Sequence, residues 1–449
     1  MSRTFARLPW VLGLGLALWM SLPTPALANG RAPSMVSIHP RQGSAELAIW
    51  STWGLLRGSG DSGFRWMCEN ALKVGGAFDP DLVFRADGAL VASTFEGLLI
   101  NRDGCVFEPT GLGAKFISQV AEGPDGALYA AAVERSDGKI YKSTDGGRTF
   151  PISANPGMSN DWWESLEVAP SDASRVYLAG YRLMNGTKQQ LFFRSDDGGV
   201  SFTPKPLPQA VTGLASDLEI AAISPKNANL VFARVTYAMG DDKVGDRIYR
   251  SDNGGDSWTE VLYAAAALPN VVVRRDGKVL VASVSSGSWR SDDGGVTFVA
   301  QASTLQMQCL VEREDGTLLA CGQNFAPDFM AVAQSSDGAT WSKVFRFAEA
   351  RGPVDCAVGT LQCDTCQLLL WCGLREQFGI EADPTTCGED GGDGTTCGGP
   401  LPKVEEPASG CCGAGGTAGG DAGGGPASPL LLAVMVLGLW RWRIRRQRA

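Results

Sequence analysis

A short pattern returns seven times along this chain: Ser or a stand-in, then Asp, then Gly, then an aromatic residue six or seven places after the start. Its cleanest form is Ser143-Thr144-Asp145-Gly146-Gly147-Arg148-Thr149-Phe150. Close copies run from Ser195 to Phe202, Ser251 to Trp258 and Ser291 to Phe298, and looser ones from Ser59 to Trp66, Asn101 to Phe107 and Ser335 to Trp341. The starts lie 42, 42, 52, 56, 40 and 44 residues apart. That period is too long for one hairpin and matches a four-stranded blade of a β-propeller.

The chemistry of the pattern accounts for the repeat. Asp-Gly or Asn-Gly followed by a further Gly tolerates positive φ and lets a strand reverse tightly. The Ser hydroxyl and the acid can hold the exposed N–H groups of that turn, and the closing aromatic buries a ring between sheets. Apolar runs such as Leu191-Phe192-Phe193-Arg194 precede the pattern, predicting that it joins a third strand to a fourth. A second turn signal lies upstream, at Asp87-Gly88, Asp125-Gly126, Asp276-Gly277 and Asp315-Gly316, with Pro170 to Ala173 and Pro225 to Ala228 in the fourth and fifth repeats. Two hairpins per repeat make four strands. No helical period is sustained between Met35 and Phe347. The fold class expected is all-β, a seven-bladed β-propeller of four-stranded antiparallel blades over 29–350.

These turns resemble those of the Asp-box, or bacterial neuraminidase repeat, family, over roughly residues 35 to 347. The resemblance implies a propeller in which the box acids, here Asp61, Asp103, Asp145, Asp197, Asn253, Asp293 and Asp337, are structural and lie away from the ligand. It is weak for function, because sialidases, xyloglucanase-type glycosidases, sortilin-type receptors and photosystem assembly factors all carry the box.

The termini point to export. Residues 1–28 set an apolar stretch, Leu8 to Leu22, between Arg3 and Arg7 and the small-residue site Ala26-Leu27-Ala28, as a secretory signal peptide does. Residues 376–428 are rich in Gly, Pro, Thr and acidic residues and poor in apolar ones, and are expected to form a disordered stalk. Residues 429–449 combine an apolar run, Leu430 to Trp440, with five arginines, and are expected to form a short transmembrane helix whose C-terminus is cytoplasmic. With Gly410-Cys411-Cys412 upstream, this end resembles the myxobacterial C-terminal sorting signal. That resemblance implies a sorting protease as partner, Cys411 or Cys412 as the processed residue, and a body displayed at the cell surface. The chain carries 39 basic and 48 acidic residues, and seven of the basic ones lie in the two termini. The exported part, at about −16, argues against nucleic acid or an anionic membrane surface as partner.

Twelve cysteines in an exported chain read as disulfides. Cys309 and Cys321 are symmetric about the Asp315 turn and can face one another. Cys68 and Cys105 would link neighbouring blades if paired. Cys356 with Cys372, around Cys363 and Cys366, suggests a stapled hairpin over 351–375. The same segment is compatible with a degenerate eighth blade, and Cys363 with Cys366 is the one pair that could serve zinc.

Chemistry is sparse. The single histidine, His39, excludes His-based metal clusters and nearly excludes Ser-His-Asp catalysis. Phe84-Arg85-Ala86-Asp87 lacks the proline of the sialidase Phe-Arg-x-Pro signature, and one propeller cannot form the two-propeller cleft of xyloglucanases. No pattern calls for a cofactor or a resident metal. The long repeats, however, hold extra residues between Phe150 and Ser165, between Phe202 and Leu218, in Arg182 to Gln190 and in Thr236 to Asp246. By strand order these are connections on the face opposite the boxes, where binding residues are usually carried. Asp161-Trp162-Trp163-Glu164 in the first of them suits sugar stacking and hydroxyl bonding, although one Trp could simply plug the loop into the body. Asp241, Asp242 and Asp246 read as a solvated acidic loop.

The reading favoured is an exported, surface-anchored propeller that recognises a partner, a carbohydrate or an envelope protein. The alternatives are a carbohydrate-active enzyme, glycosidase or lyase, using carboxylates such as Asp161 and Glu164, and an envelope assembly scaffold.

Overall fold

The computed structural model describes residues 31–381, apart from 76–77, 134–137, 159–160, 185–186, 209–215, 238–244, 286 and 303–304. Seven four-stranded antiparallel sheets follow one another along the chain, at 35–67, 82–113, 117–154, 161–204, 216–264, 271–301 and 309–345, here blades 1 to 7. Each first strand packs against the next, and that of blade 7 (Cys309–Glu312) against that of blade 1 (Met35–Pro40), which closes the ring. The signal peptide, Asp241 and Asp242, the stalk beyond Glu381, Cys411 and Cys412, and the C-terminal apolar run lie outside the described residues. Among those described, no helix is long and apolar enough to cross a membrane.

Burial explains the strand sequences. A second strand is sandwiched by both neighbouring blades, so Leu90–Thr94 and Val279–Ala282 are buried throughout and almost continuously apolar. Fourth strands lie at the rim; that of blade 4 is only Thr203–Pro204, exposed, where proline blunts an edge, whereas that of blade 1, Gly63–Met67, is largely buried.

The repeated turn joins the third strand to the fourth in every blade. In blade 3 the Ser143 Oγ donates to Asp145 Oδ1 (2.7 Å) and accepts the Gly147 N–H (2.9 Å). Asp145 accepts from the Thr149 Oγ (2.6 Å), the Thr149 N–H and the Arg148 N–H. These bonds, those from Thr149 foremost, hold its carboxyl well below the usual carboxylate range. Gly146 and Gly147 take φ of 74° and 84°, the left-handed region that the turn requires. Asp197, Asn253, Asp293 and Asp337 make the corresponding bonds to their serines. In blade 2, Asp103 accepts the Cys105 and Val106 N–H groups, whereas in blade 1 the hydroxyls of Ser59 and Ser62 bond each other beside Asp61.

A second regularity ties the blades together. The cation just before the box serine reaches the box glycine carbonyl of the next blade: Lys142 to Gly198 (3.0 Å), Arg194 to Gly254 (3.0 Å) and Arg250 to Gly294 (2.9 Å). Arginines near the first turns do likewise. Arg41 donates to Ala86 O, Arg274 to Glu312, and Arg313 of blade 7 to Ser44 O of blade 1.

Among the described residues no strand is exchanged between the two ends of the ring; a clasp built from the residues after blade 7 joins them. Residues 351–354 run parallel to the outer strand of blade 1, with Arg351 N–H donating to Phe64 O, Trp66 N–H to Gly352 O and Val354 N–H to Trp66 O. Cys356 then bonds Cys105 of blade 2, and Cys366 bonds Cys68 at the end of blade 1. Residues 362–378 are helical, π-helical over Gln362–Leu370 and α-helical over Trp371–Phe378, and pack Trp371 on Trp66 and Phe378 on Trp53.

This corrects several expectations. The 351–375 segment is an extended stretch bridged to blade 1 at Pro353, followed by a helix, rather than a hairpin, so there is no eighth blade among the described residues. Cys68 pairs with Cys366 rather than Cys105, and Cys356 with Cys105 rather than Cys372. Cys363 and Cys372 are disulfide-bonded too, which removes Cys363 and Cys366 as a zinc pair. The helix extends through Phe378 and Ile380 is buried, so no stalk begins at 376. Cys309 and Cys321 stand opposite one another in register and are bonded.

Candidate functional site

The face opposite the boxes carries the connections from second to third strands and from each blade to the next. Among the described residues, part of the excess of blades 4 and 5 enters as longer strands. The second and third strands of blade 4, Val176–Met184 and Thr187–Ser195, pair from Met184–Thr187 down to Val176–Ser195, and the second strand of blade 5 runs over Asn227–Tyr237. Asp161-Trp162-Trp163-Glu164 is likewise not in a loop: it begins the first strand of blade 4, Asp161–Val168.

That strand sends its side chains to different fates. Trp163 is fully buried and meets Phe193 edge-on at 5.8 Å, so it is the core plug. Asp161 is buried and is clamped by Arg182, Nε to Oδ1 at 2.5 Å and Nη2 to Oδ2 at 2.7 Å, while also accepting the Met158 N–H. Both are structural. Glu164 is the extra residue of a β-bulge, because Trp163 pairs with Gly180 and Ser165 with Ala179. A bulge re-aims a side chain, and this one depends on Gly180, where any Cβ would stand 2.0 Å from Trp162 O.

Trp162 remains partly exposed and belongs to a continuous run of rings. Phe78, between blades 1 and 2, lies 4.5 Å from Phe95; Phe95 stacks on Phe116 at 4.6 Å; Phe116 meets Trp162 at 5.3 Å; and Trp162 stacks on Tyr181 at 6.4 Å. Phe95 is 47 % exposed. All five lie on connections or strand ends of the loop face, and the run spans blades 2 to 4.

Its blade 4 end enters a charged cluster. The Lys188 Nζ sits 4.0 Å from the Tyr181 ring centroid and bridges Glu164 (3.5 Å) and Asp217 of blade 5. Arg234 bonds Glu219 and Leu268 O, and Asp246 accepts the Leu268 N–H. Burial raises the Glu164 carboxyl, against the pull of Lys188, and raises Tyr181 further above its ordinary value. Asp246 therefore belongs to an ion-paired cluster and not to a solvated loop.

Near the axis, three more inner-strand groups are shifted. Glu167 is accessible to solvent but enclosed by the inner strands, and burial together with Asp81 raises it to about 8. Burial likewise raises Asp81 to about 6, although it accepts the Val120 N–H, and lowers His39 to about 4. On the box face a cavity of about 490 Å³ opens between the first turns of blades 6, 7 and 1. Its arginines are committed, Arg41 to Glu46, Arg275 to Glu314 O and Arg313 to Ser44 O, so the loop face is the better candidate.

Reading the sequence alone missed Phe78, Phe95, Phe116, Tyr181, Lys188 and Asp217. The rings come from four separate segments and share no period. Lys188 and Asp217 had one weak signal, their position in the lengthened repeats.

No protein-family model matches the sequence, and no curated protein matches it. Among solved structures, the fold is similar to YCF48 from Cyanidioschyzon merolae, at 14% identity over 67% of this chain and 94% of that one, with a TM-score of 0.46. It is also similar to the GH74 xyloglucanase from Xanthomonas campestris, at 12% identity over 69% and 60%, TM-score 0.43, and to a streptogramin B lyase, at 11% identity over 67% and 92%, TM-score 0.44. At such identities and TM-scores, nothing about ligand or activity passes from them to this chain.

Proposed function

We propose that this chain is an exported, surface-held recognition module that binds a glycan along the aromatic run of its loop face. The observation that carries the reading is the ring-to-ring path from Phe78 through Phe95, Phe116 and Trp162 to Tyr181. Sugar rings offer apolar C–H faces to such a path, and their hydroxyls would find Lys188, Glu164 and Asp217 at its end. The bonding of the repeated turns supports membership of the Asp-box family, and the box face, with its acids and cations occupied internally, is the scaffold side. Disulfides in the ring suit an oxidising compartment. The surface tether, with sorting at Cys411 or Cys412, rests on the terminal sequence.

One observation favours a second reading, a glycoside hydrolase-like enzyme. Glu164, which burial favours in its neutral form, shares Lys188 with the Asp217 carboxyl group, and paired carboxyls in unlike settings suit proton donation and water activation. A polysaccharide and glycan screen on the mature chain, with hydrolysis products followed in parallel, separates the two. Recognition predicts retention that Phe95→Ala and Trp162→Ala each weaken about tenfold, roughly 1.4 kcal/mol, without products. Retention indifferent to both substitutions, or none across the screen, rejects the glycan reading; products abolished by Glu164→Gln select the enzyme.

A further inference from the structure

The positive charge along the aromatic run is already committed. At its first end, Arg31 pairs with Asp79, next to Phe78, at 2.8 Å, and Lys73 pairs with Glu96, next to Phe95, at 4.0 Å. In its middle, Lys115 lies over the Tyr141 ring at 5.6 Å, Lys139 is engaged as well, and Arg182 is held by Asp161. At its blade 4 end, Lys188 bridges Glu164 and Asp217, and Arg234 bonds Glu219. Among the described residues, the cations along the run thus all have partners.

The blade 4 end is also acidic. Glu164, Asp217, Glu219 and Asp246 surround Lys188 and Arg234, four carboxyl groups to two cations. The side chains of Lys188, Glu164 and Asp217 are only 17 to 20 % exposed, so water screens them poorly. An incoming carboxylate can bond the Lys188 ammonium only by standing against the two carboxyls that already share it. The rings oppose it too, since the face of an aromatic ring is the negative side of its quadrupole. A sugar hydroxyl meets no such penalty: it donates to Asp217 while it accepts from Lys188, whereas a carboxylate only accepts.

Resting on the glycan reading of this face, we infer that the run selects uncharged sugars and turns away uronic and sialic acids, with Asp217 and Glu164 setting that selectivity through their hold on Lys188.

The test is isothermal titration calorimetry of the mature chain with soluble β-glucan, galactomannan and amylopectin, each beside the same polymer with its primary alcohols oxidised to carboxylates. For any neutral polymer that binds, the oxidised form is expected to bind at least about tenfold more weakly at low ionic strength. The gap should narrow in about 1 M salt, where the screening length is about 3 Å. Asp217→Asn leaves Lys188 with one carboxylate fewer and should shrink the gap by about tenfold. Asp292→Asn changes the net charge equally, but it lies on the box face, paired with Arg290, and should leave the gap unchanged. Equal binding of neutral and oxidised polymers, stronger binding of an oxidised one, or a gap that Asp217→Asn shrinks no further than Asp292→Asn does would overturn the inference and leave glycan recognition standing. Binding of no polymer rejects glycan recognition and the selectivity with it. Should Asp217→Asn not fold, the comparison on the parent chain still decides.

Discussion

Replacing both cysteines of a clasp bond by serine leaves no stray thiol and isolates its contribution. Cys68 and Cys366 lie 298 residues apart, and Cys105 and Cys356 lie 251 apart. The two bonds are nested, so with one intact the other closes a loop of only about 47 residues, which run from Cys68 to Cys105 and from Cys356 to Cys366. In the chain-entropy account a loop of that size contributes ~4 kcal/mol, whereas a loop of 250 to 300 residues contributes ~5.5 kcal/mol. Removing either pair should therefore cost about 4 kcal/mol, and removing both about 9 to 10, more than twice the single loss. Equilibrium guanidinium unfolding of Cys68→Ser with Cys366→Ser, Cys105→Ser with Cys356→Ser, and all four together measures this. A four-serine variant within about 1 kcal/mol of the parent would refute the clasp as what holds the ring shut, leaving blade packing as sufficient.

Adjacent tryptophans should separate cleanly: Trp163→Ala empties a fully buried site and should cost about 3–5 kcal/mol by thermal or chemical unfolding, while Trp162→Ala should leave stability within about 1 kcal/mol and act on ligand retention. Gly180→Ala should destabilise blade 4 and abolish the bulge at Glu164, since its Cβ has no room beside Trp162 O; a variant with parental thermal stability would contradict that geometry. The axial acids predict a pH effect. Glu167 is raised to about 8 and Asp81 to about 6, so their contribution is full below the unfolded carboxyl values near pH 4 and is lost as pH rises towards 8. Melting temperature should accordingly fall between pH 5 and 8, and Glu167→Gln should flatten that fall; an unchanged slope would show that Glu167 titrates normally.

What could be read from the sequence follows from range. The turn at Ser143 to Phe150 is built from bonds between residues at most four apart, so its chemistry lies in consecutive letters. So does the cation relay: Lys142, Arg194 and Arg250 each precede the box serine, a signal available without any structure. The clasp has no local signature, because Cys68 finds Cys366 only after the ring has closed, and a helix after seven sheets obeys no repeat. The same holds for the loop face. Asp161 to Glu164 stood out as a cluster, yet a strand beginning at Asp161 alternates its side chains, so one Trp went inside and the other joined rings from elsewhere. Phe78, Phe95 and Phe116 each look like an ordinary apolar residue until blades 2 to 4 are set side by side.

The clasp also decides how the molecule carries tension. A pull on the chain beyond Glu381 reaches Cys366 before it reaches blade 7, and passes through sulfur to Cys68, at the opposite end of the sequence. What leaks past that point loads the Cys356 bond and the backbone bonds of 351–354 to Phe64 and Trp66, which run along the outer strand of blade 1 and must be sheared rather than peeled. Covalent links at two blades thus spare the last blade from unravelling, and the ring hangs from its beginning rather than from its end.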